Sequence, residues 1–212
     1  MAYDLQEQEQ LDNLKAFWRR YGNFILTLIT IVLLAFSGWR FWGWYQDRQA
    51  AAAAVLFDEV RAGAAAKDIA RVRDASGRIF ADYASTPYAQ MAALAAAKVY
   101  VQASDLQSAK VPLRWAIDSA RDPEYRYLAR MRLAGVLLDD KAHDEAMSVL
   151  AGEPPARFAG AWADRRGDIL FAQGKVEEAR QAYTLSLDRL EPTSPLRQIV
   201  QLKLDALGPS KG

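Results

Sequence analysis

The sequence predicts an all-α protein: one N-terminal membrane-crossing helix, then a solenoid of about four antiparallel helix pairs closed by a C-terminal capping helix. Three observations predict it. Residues 22–39 (GNFILTLITIVLLAFSGW) carry no charge and are almost unbroken apolar side chains from Phe24 to Phe36. From Gln46 onward Ala, Leu, Arg, Gln and Glu dominate, all good helix formers, and no alternating run of β-branched residues signals a strand. Short breaks of Gly, Pro, Ser and Asp recur at intervals that suit paired helices. The chain divides accordingly into a tail (1–21), a transmembrane helix (22–45) and a folded domain (46–212).

In the tail, Asp4, Glu7, Glu9 and Asp12 precede Lys15, Arg19 and Arg20. Acid first and base last complements a helix dipole. Leu11, Leu14, Trp18 and Tyr21 recur at three- and four-residue spacing, which predicts an amphipathic helix over 5–21 running into the membrane.

As a helix the uncharged run of 22–39 spans about 27 Å, close to a hydrocarbon core of about 30 Å. A buried core helix would show one polar face, and this stretch offers only Thr27, Thr30 and Ser37. Four of the six Trp flank it: Trp18 before, and Trp39, Trp42 and Trp44 after. Amphipathic indole rings favour the headgroup layer, and Arg40 can reach the phosphates from the same edge. Trp39, Arg40, Trp42 and Trp44 are therefore the expected membrane-interface residues, with lipid as their partner. The alanines at 50–54 resemble a cleavage site. However, the apolar core exceeds the roughly 7–15 residues of a signal peptide, and a bulky charged block separates the two. An uncleaved anchor is expected. Lys15, Arg19 and Arg20 outnumber Arg40 and Arg48, which favours a cytoplasmic N-terminus and a domain on the far side. The absence of cysteine is compatible with an oxidising compartment there.

The domain is nearly neutral, as is the whole chain at +1, so no nucleic-acid partner is expected. Helices are predicted at 46–62, 67–83, 87–103, 106–120, 124–140, 143–151, 157–173, 176–190 and 195–207. Pro87, Pro123 and Pro195 each suit a first helical turn. Gly167 and Ala179 are twelve residues apart; Ala134 and Ala146, and Ala97 and Ala109, repeat that pair. Small residues recur where two helices of a unit cross closely. Gly174 sits at the turn, with Lys141 and Ser104 at the matching places. The segment GDILFAQGKVEEARQAY (167–183) resembles a tetratricopeptide repeat. Three repeats and a divergent leading pair over 46–83 are expected, with 195–207 as the cap.

Projecting the repeat register places Met91, Leu94, Val101, Leu128, Met131, Leu138 and Phe171 on the concave surface, with Lys98, Asp164 and Asp168 among them. An apolar, Met-containing groove would bind a polypeptide segment. Arg126, Arg130, Arg165 and Arg166 are candidates for salt bridges across repeats. Catalysis is poorly supported. There is one histidine, His143, and no cysteine, which removes thiol chemistry and Cys/His metal sites. Asp139-Asp140 and Glu177-Glu178 read as helix-end charges. No enzyme activity and no cofactor is expected.

The whole order of parts is similar to the ancillary subunits of the bacterial Sec translocon: an acidic-then-basic tail, an anchor ending in GWRFW (38–42), an Ala-rich start and ADRRGDILFAQGKVEEAR (163–180). The resemblance implies a single-pass inner-membrane protein with a periplasmic domain. It also implies association with the SecYEG channel and with a membrane-anchored periplasmic chaperone of the peptidyl-prolyl isomerase type. Contact of the tail with a cytoplasmic stress-response regulator is implied as well. The alternative is a tetratricopeptide scaffold for another inner-membrane or periplasmic assembly machine.

Overall fold

The structure, a computed structural model, describes residues 2–208, apart from the side chains of 2–10 and 12. The acidic tail residues Asp4, Glu7, Glu9 and Asp12 thus have side chains outside the described set. Regular structure among the described residues is all helical: α1 (Ala2–Ala66), α2 (Ile69–Asp82), α3 (Pro87–Gln102), α4 (Leu106–Ser119), α5 (Pro123–Asp139), α6 (His143–Val149), α7 (Ala156–Ala172), α8 (Val176–Arg189) and α9 (Leu196–Ala206). The chain falls into two units, Met1–Gln49 and Ala50–Gly212.

One correction concerns α1. The sequence suggests an anchor followed by a separate helix from 46, but a single helix covers both. Residues 44–62 contain no Gly or Pro, and the alanine run at 50–54 is the best helix former available. Within the first unit two threonines bond the helix's own backbone. Thr27 Oγ1 donates to the Asn23 carbonyl and Thr30 Oγ1 to the Leu26 carbonyl, both at 2.8 Å. Each of these two hydroxyls thus bonds a carbonyl one turn back in its own helix. Trp18 lies over Gly22, where a Cβ would sit 3.2 Å from the indole. The apolar window of α1 is long enough to cross a membrane, and none of it is buried within the protein.

The second unit is a series of helix hairpins. Lys67, Ser104, Lys141 and Gly174 share positive φ values of 57°, 59°, 60° and 78°. After each, an N–H bonds to a carbonyl five residues back: Asp68 to Gly63 (2.8 Å), Asp105 to Tyr100 (2.9 Å), Ala142 to Leu137 (2.8 Å) and Lys175 to Leu170 (2.9 Å). These are four copies of one helix-ending turn, which satisfies carbonyls that the helix leaves free.

The leading pair is therefore a repeat too. Its crossing positions are Val60 and Val72, again twelve apart and both fully buried. The small residue has moved to Gly63, where a Cβ would lie 3.0 Å from Val72 Cγ2. The other expected pairs occupy the crossings as predicted: Ala97, Ala109, Ala134, Ala146 and Ala179 are at most 2% exposed. At Gly167 an added Cβ would meet the Tyr183 ring at 2.5 Å.

Larger side chains fill the space between repeats. Ile79, Leu113, Leu133, Leu137 and Ile169 are at most 2% exposed. Phe80 stacks on Trp115 at 4.5 Å, and Tyr127 contacts both Phe158 and Trp162. Pairs of charges also cross repeats: Lys110 with Asp140 (2.5 Å), Arg114 with Glu145 (2.6 Å), and Arg157 with Glu124. They are not the arginines the sequence suggested. Arg126 Nε donates to the Ala120 carbonyl at 2.7 Å, Arg130 lies 6.0 Å from the Tyr127 ring centroid, and Arg165 pairs within its own helix. α9 closes the stack by burying Val200 against Ala179 and Tyr183.

Candidate partner-binding groove

The first helices of three successive pairs, α3, α5 and α7, line a concavity of about 300 Å³. Lys98 and Val101 come from α3; Arg132, Val136 and Asp139 from α5; Arg165 from α7. Ala97, Leu113 and Val136, all buried, give it an apolar lining. Lys98, Arg132 and Arg165 bring three cations to its lining and Asp139 one carboxylate. Arg132 Nη1 donates to the Leu94 carbonyl at 3.3 Å. The Arg165 guanidinium lies across Gly135, where a Cβ would be 3.5 Å from Cζ. A larger residue at 135 would crowd that arginine.

A partly buried polar network ties α7, α8 and α9. Lys203 Nζ donates to Asp164 Oδ1 at 2.7 Å and lies 2.7 Å from Asp168 Oδ1. Tyr183 Oη donates to Asp168 Oδ1 at 3.0 Å. Burial raises the Asp164 pKa, with Lys203 opposing the rise and Asp168 adding to it. Burial, and then Asp168, also raise the Tyr183 pKa. That phenol stays a neutral donor.

The seven apolar residues expected in the groove are dispersed. Leu94 belongs to the core and is 6% exposed, so its side chain is not offered to a partner. It is one of the residues of the main core cluster, and its carbonyl accepts from Arg132 of α5. Leu128, Met131 and Leu138 are half-buried and pack against the same core. Met91 is half-buried. Val101 lines the concavity at 37% exposure, and Phe171 is 54% exposed on α7. Of the expected polar set, Lys98 is in the concavity, whereas Asp164 and Asp168 serve the Lys203 network. Sequence reasoning missed Arg132, Asp139 and Arg165. A signal was present: Arg132 and Arg165 each stand two residues before the small crossing residue, Ala134 or Gly167.

On α1, Trp39, Trp42 and Trp44, the residues expected at a membrane interface, are 71%, 59% and 51% exposed, and Arg40 is exposed. Arg48 lies 4.8 Å from the Trp44 ring centroid. No group of three or more His, Cys, Asp or Glu side chains able to hold a metal occurs among the described residues. His143 is simply the first residue of α6.

A family profile described as a tetratricopeptide repeat-like domain matches residues 15–209. The chain is 31% identical to the ancillary SecYEG translocon subunit of Neisseria gonorrhoeae, over 98% of this chain and 100% of that one. Proteins of the same name from Haemophilus influenzae (26%, over 86% and 89%) and Escherichia coli (24%, over 95% and 96%) are also similar. No solved structure matches the chain. A fourfold helix-hairpin repeat after a membrane-length helix, matched along its full length by such relatives, places this chain in the family of ancillary SecYEG translocon subunits with a tetratricopeptide repeat-like domain.

Proposed function

We propose that the chain works as a non-enzymatic ancillary subunit beside the Sec channel. The segment 22–45 anchors it in the inner membrane, with the tail 1–21 cytoplasmic and the domain 46–212 periplasmic. The domain binds the SecYEG channel and a membrane-anchored periplasmic chaperone of the peptidyl-prolyl isomerase type. It thereby assists newly exported proteins as they leave the channel. The tail contacts a cytoplasmic stress-response regulator.

One observation carries this reading: similarity to a named translocon subunit runs from end to end of both chains. The geometry is in keeping with it. Trp39, Trp42 and Trp44 are free to meet lipid or a neighbouring helix. Val101, flanked by Lys98, Arg132 and Arg165, offers an apolar contact inside a cationic rim, which suits an extended segment bearing a carboxylate. Anchoring confines the domain near the channel, so weak contacts suffice at the raised effective concentration.

The test is purification of the tagged full chain from membranes in mild detergent. Channel subunits are expected to co-purify, and less so when Trp39, Trp42 and Trp44 are all replaced by Ala. Recovery of another envelope machine without channel subunits would favour the scaffold alternative.

A further inference from the structure

Cations that bridge helices elsewhere in this domain are answered by a carboxylate. Lys110 meets Asp140 at 2.5 Å, Arg114 meets Glu145 at 2.6 Å, and Lys203 meets Asp164 at 2.7 Å. The concavity on α3, α5 and α7 breaks that pattern. Lys98 and Arg132 line it, and neither makes an ion pair among the described residues. Arg132 donates one hydrogen bond, to the Leu94 carbonyl at 3.3 Å. Burial lowers its pKa, and no neighbouring carboxylate offsets that effect. Arg165 reaches Asp168 Oδ2 only at 3.5 Å, and the other oxygen of that carboxylate already serves Lys203 and Tyr183. Asp139 is the one acid in the lining. A guanidinium drawn partly out of water without an anion has capacity for a charge-assisted pair, the strong class of hydrogen bond.

An apolar row runs beside these cations. Val101, Leu138 and Phe171 each stand four residues after a small crossing residue, Ala97, Ala134 or Gly167, so they share one register on α3, α5 and α7. Val101 is 37% and Phe171 54% exposed, and Leu138 is half-buried. The cations lie toward the helix N-termini from this row, Lys98 by three residues and Arg132 and Arg165 by six. Packed helices lie about 8–10 Å apart. A polyproline-type chain has three residues per turn and rises about 3.1 Å per residue. One turn of such a chain therefore steps from one helix of the row to the next.

We propose, on the reading that this face grips other proteins, that its ligand is an acidic segment in extended, polyproline-type conformation. Two apolar residues three apart sit on Val101 and Leu138, and an Asp or Glu side chain between them pairs with Arg132 and Lys98. The acid is internal to the segment, because the apolar row continues past α5 to Phe171 on α7. Asp139 in the lining, and a net charge of only +1 on the chain, disfavour a polyanion such as nucleic acid.

The probe is the peptide GSVEPVSG, acetylated and amidated so that its only carboxylate is the Glu side chain. It is passed over the full chain, immobilised in non-ionic detergent, and binding is read by surface plasmon resonance. Half-saturation is expected below about 1 mM peptide. Glu→Gln in the peptide and Arg132→Gln in the chain, its fold checked by circular dichroism, each weaken binding at least about tenfold. The two together lose little more than either alone. Arg166→Gln, on α7 but outside the concavity, leaves the affinity unchanged. The peptide substitution leaves the protein untouched, so a loss there is no folding effect. No response from the parent chain, equal affinity for the Glu and Gln peptides, or full affinity in the folded Arg132→Gln chain overturns the proposal. The translocon reading stands or falls separately, on whether the tagged chain co-purifies with channel subunits.

Discussion

In Met1–Gln49 the large apolar side chains stand outward: Phe24, Leu28, Leu33 and Phe36 are 70%, 52%, 59% and 56% exposed. In Ala50–Gly212 comparable residues such as Ile79, Leu113 and Leu137 are fully buried. Both regions are helical, so secondary structure does not separate them. Close approach between helices does. A Cβ at Gly38 or Gly43 would touch nothing and at Gly22 it would meet only Trp18 of its own helix, whereas at Gly160 or Gly167 it would strike Leu190 or Tyr183 across a helix crossing. The first region leaves its large apolar side chains outward, and its apolar window is long enough to cross a membrane. The second obtains its stability from close approach between helices.

The same substitution made in both regions probes this contrast most strongly. Trp162→Ala removes a buried ring that contacts Tyr127 and bonds the Leu150 carbonyl, and should cost about 4 kcal/mol in urea unfolding of the domain. Trp39→Ala should leave that midpoint unchanged and alter only membrane behaviour, since its ring is 71% exposed.

Within the domain, Leu94 and Val101 share a helix face by register but not by environment. Leu94→Ala should destabilise by about 3 kcal/mol, and Val101→Ala by less than about 1 kcal/mol. Equal losses would mean that both are core and that the concavity is not open.

The repeated turn offers a smaller, opposite effect. Lys141 holds a left-handed conformation without glycine's freedom. Lys141→Gly should raise stability by about 1 kcal/mol, whereas Gly174→Lys should lower it by a similar amount.

The smallest effects are in pH dependence, where two aspartates of the domain differ in sign. Hydrogen bonding from Lys110 holds the Asp140 pKa below its ordinary value. Its stabilisation is present above the ordinary carboxylate pKa and fades as pH falls toward the folded value. Burial raises the Asp164 pKa, so the folded state holds that proton more tightly than the unfolded chain does. Its contribution is present below the ordinary value and is lost as pH rises through the raised one. In melting curves from about pH 3 to 6, Asp140→Asn should flatten the acid-side loss, and Asp164→Asn should remove the opposing gain.

Much of this architecture was legible from residue spacing. The crossing pairs Ala97/Ala109, Ala134/Ala146 and Gly167/Ala179 fixed three hairpins, because only small residues fit where the helices meet. The first hairpin was expected as a divergent pair but its crossing was not found, because Val60 and Val72 hold it while Gly63 provides the clearance. The continuity of α1 was hidden because the apolar run stops before the helix does, and helix formation needs no apolar face. The groove was the least legible. An apolar residue at a concave register position can turn inward, as Leu94 does, and the arginines that line the concavity resemble any exposed arginine until α5 and α7 set them side by side.

The central claim, that the concave face of an anchored repeat domain grips other proteins at the export channel, is tested most directly by photo-crosslinking in living cells. A photoreactive residue is placed at Val101 in the full chain, with Val111, exposed on α4, as the control position. A channel subunit or a membrane-anchored chaperone should be captured from Val101 and not from Val111, and Arg132→Glu should abolish the capture. Equal capture from both positions, or none from Val101 while the folded chain still co-purifies with the channel, would contradict the account.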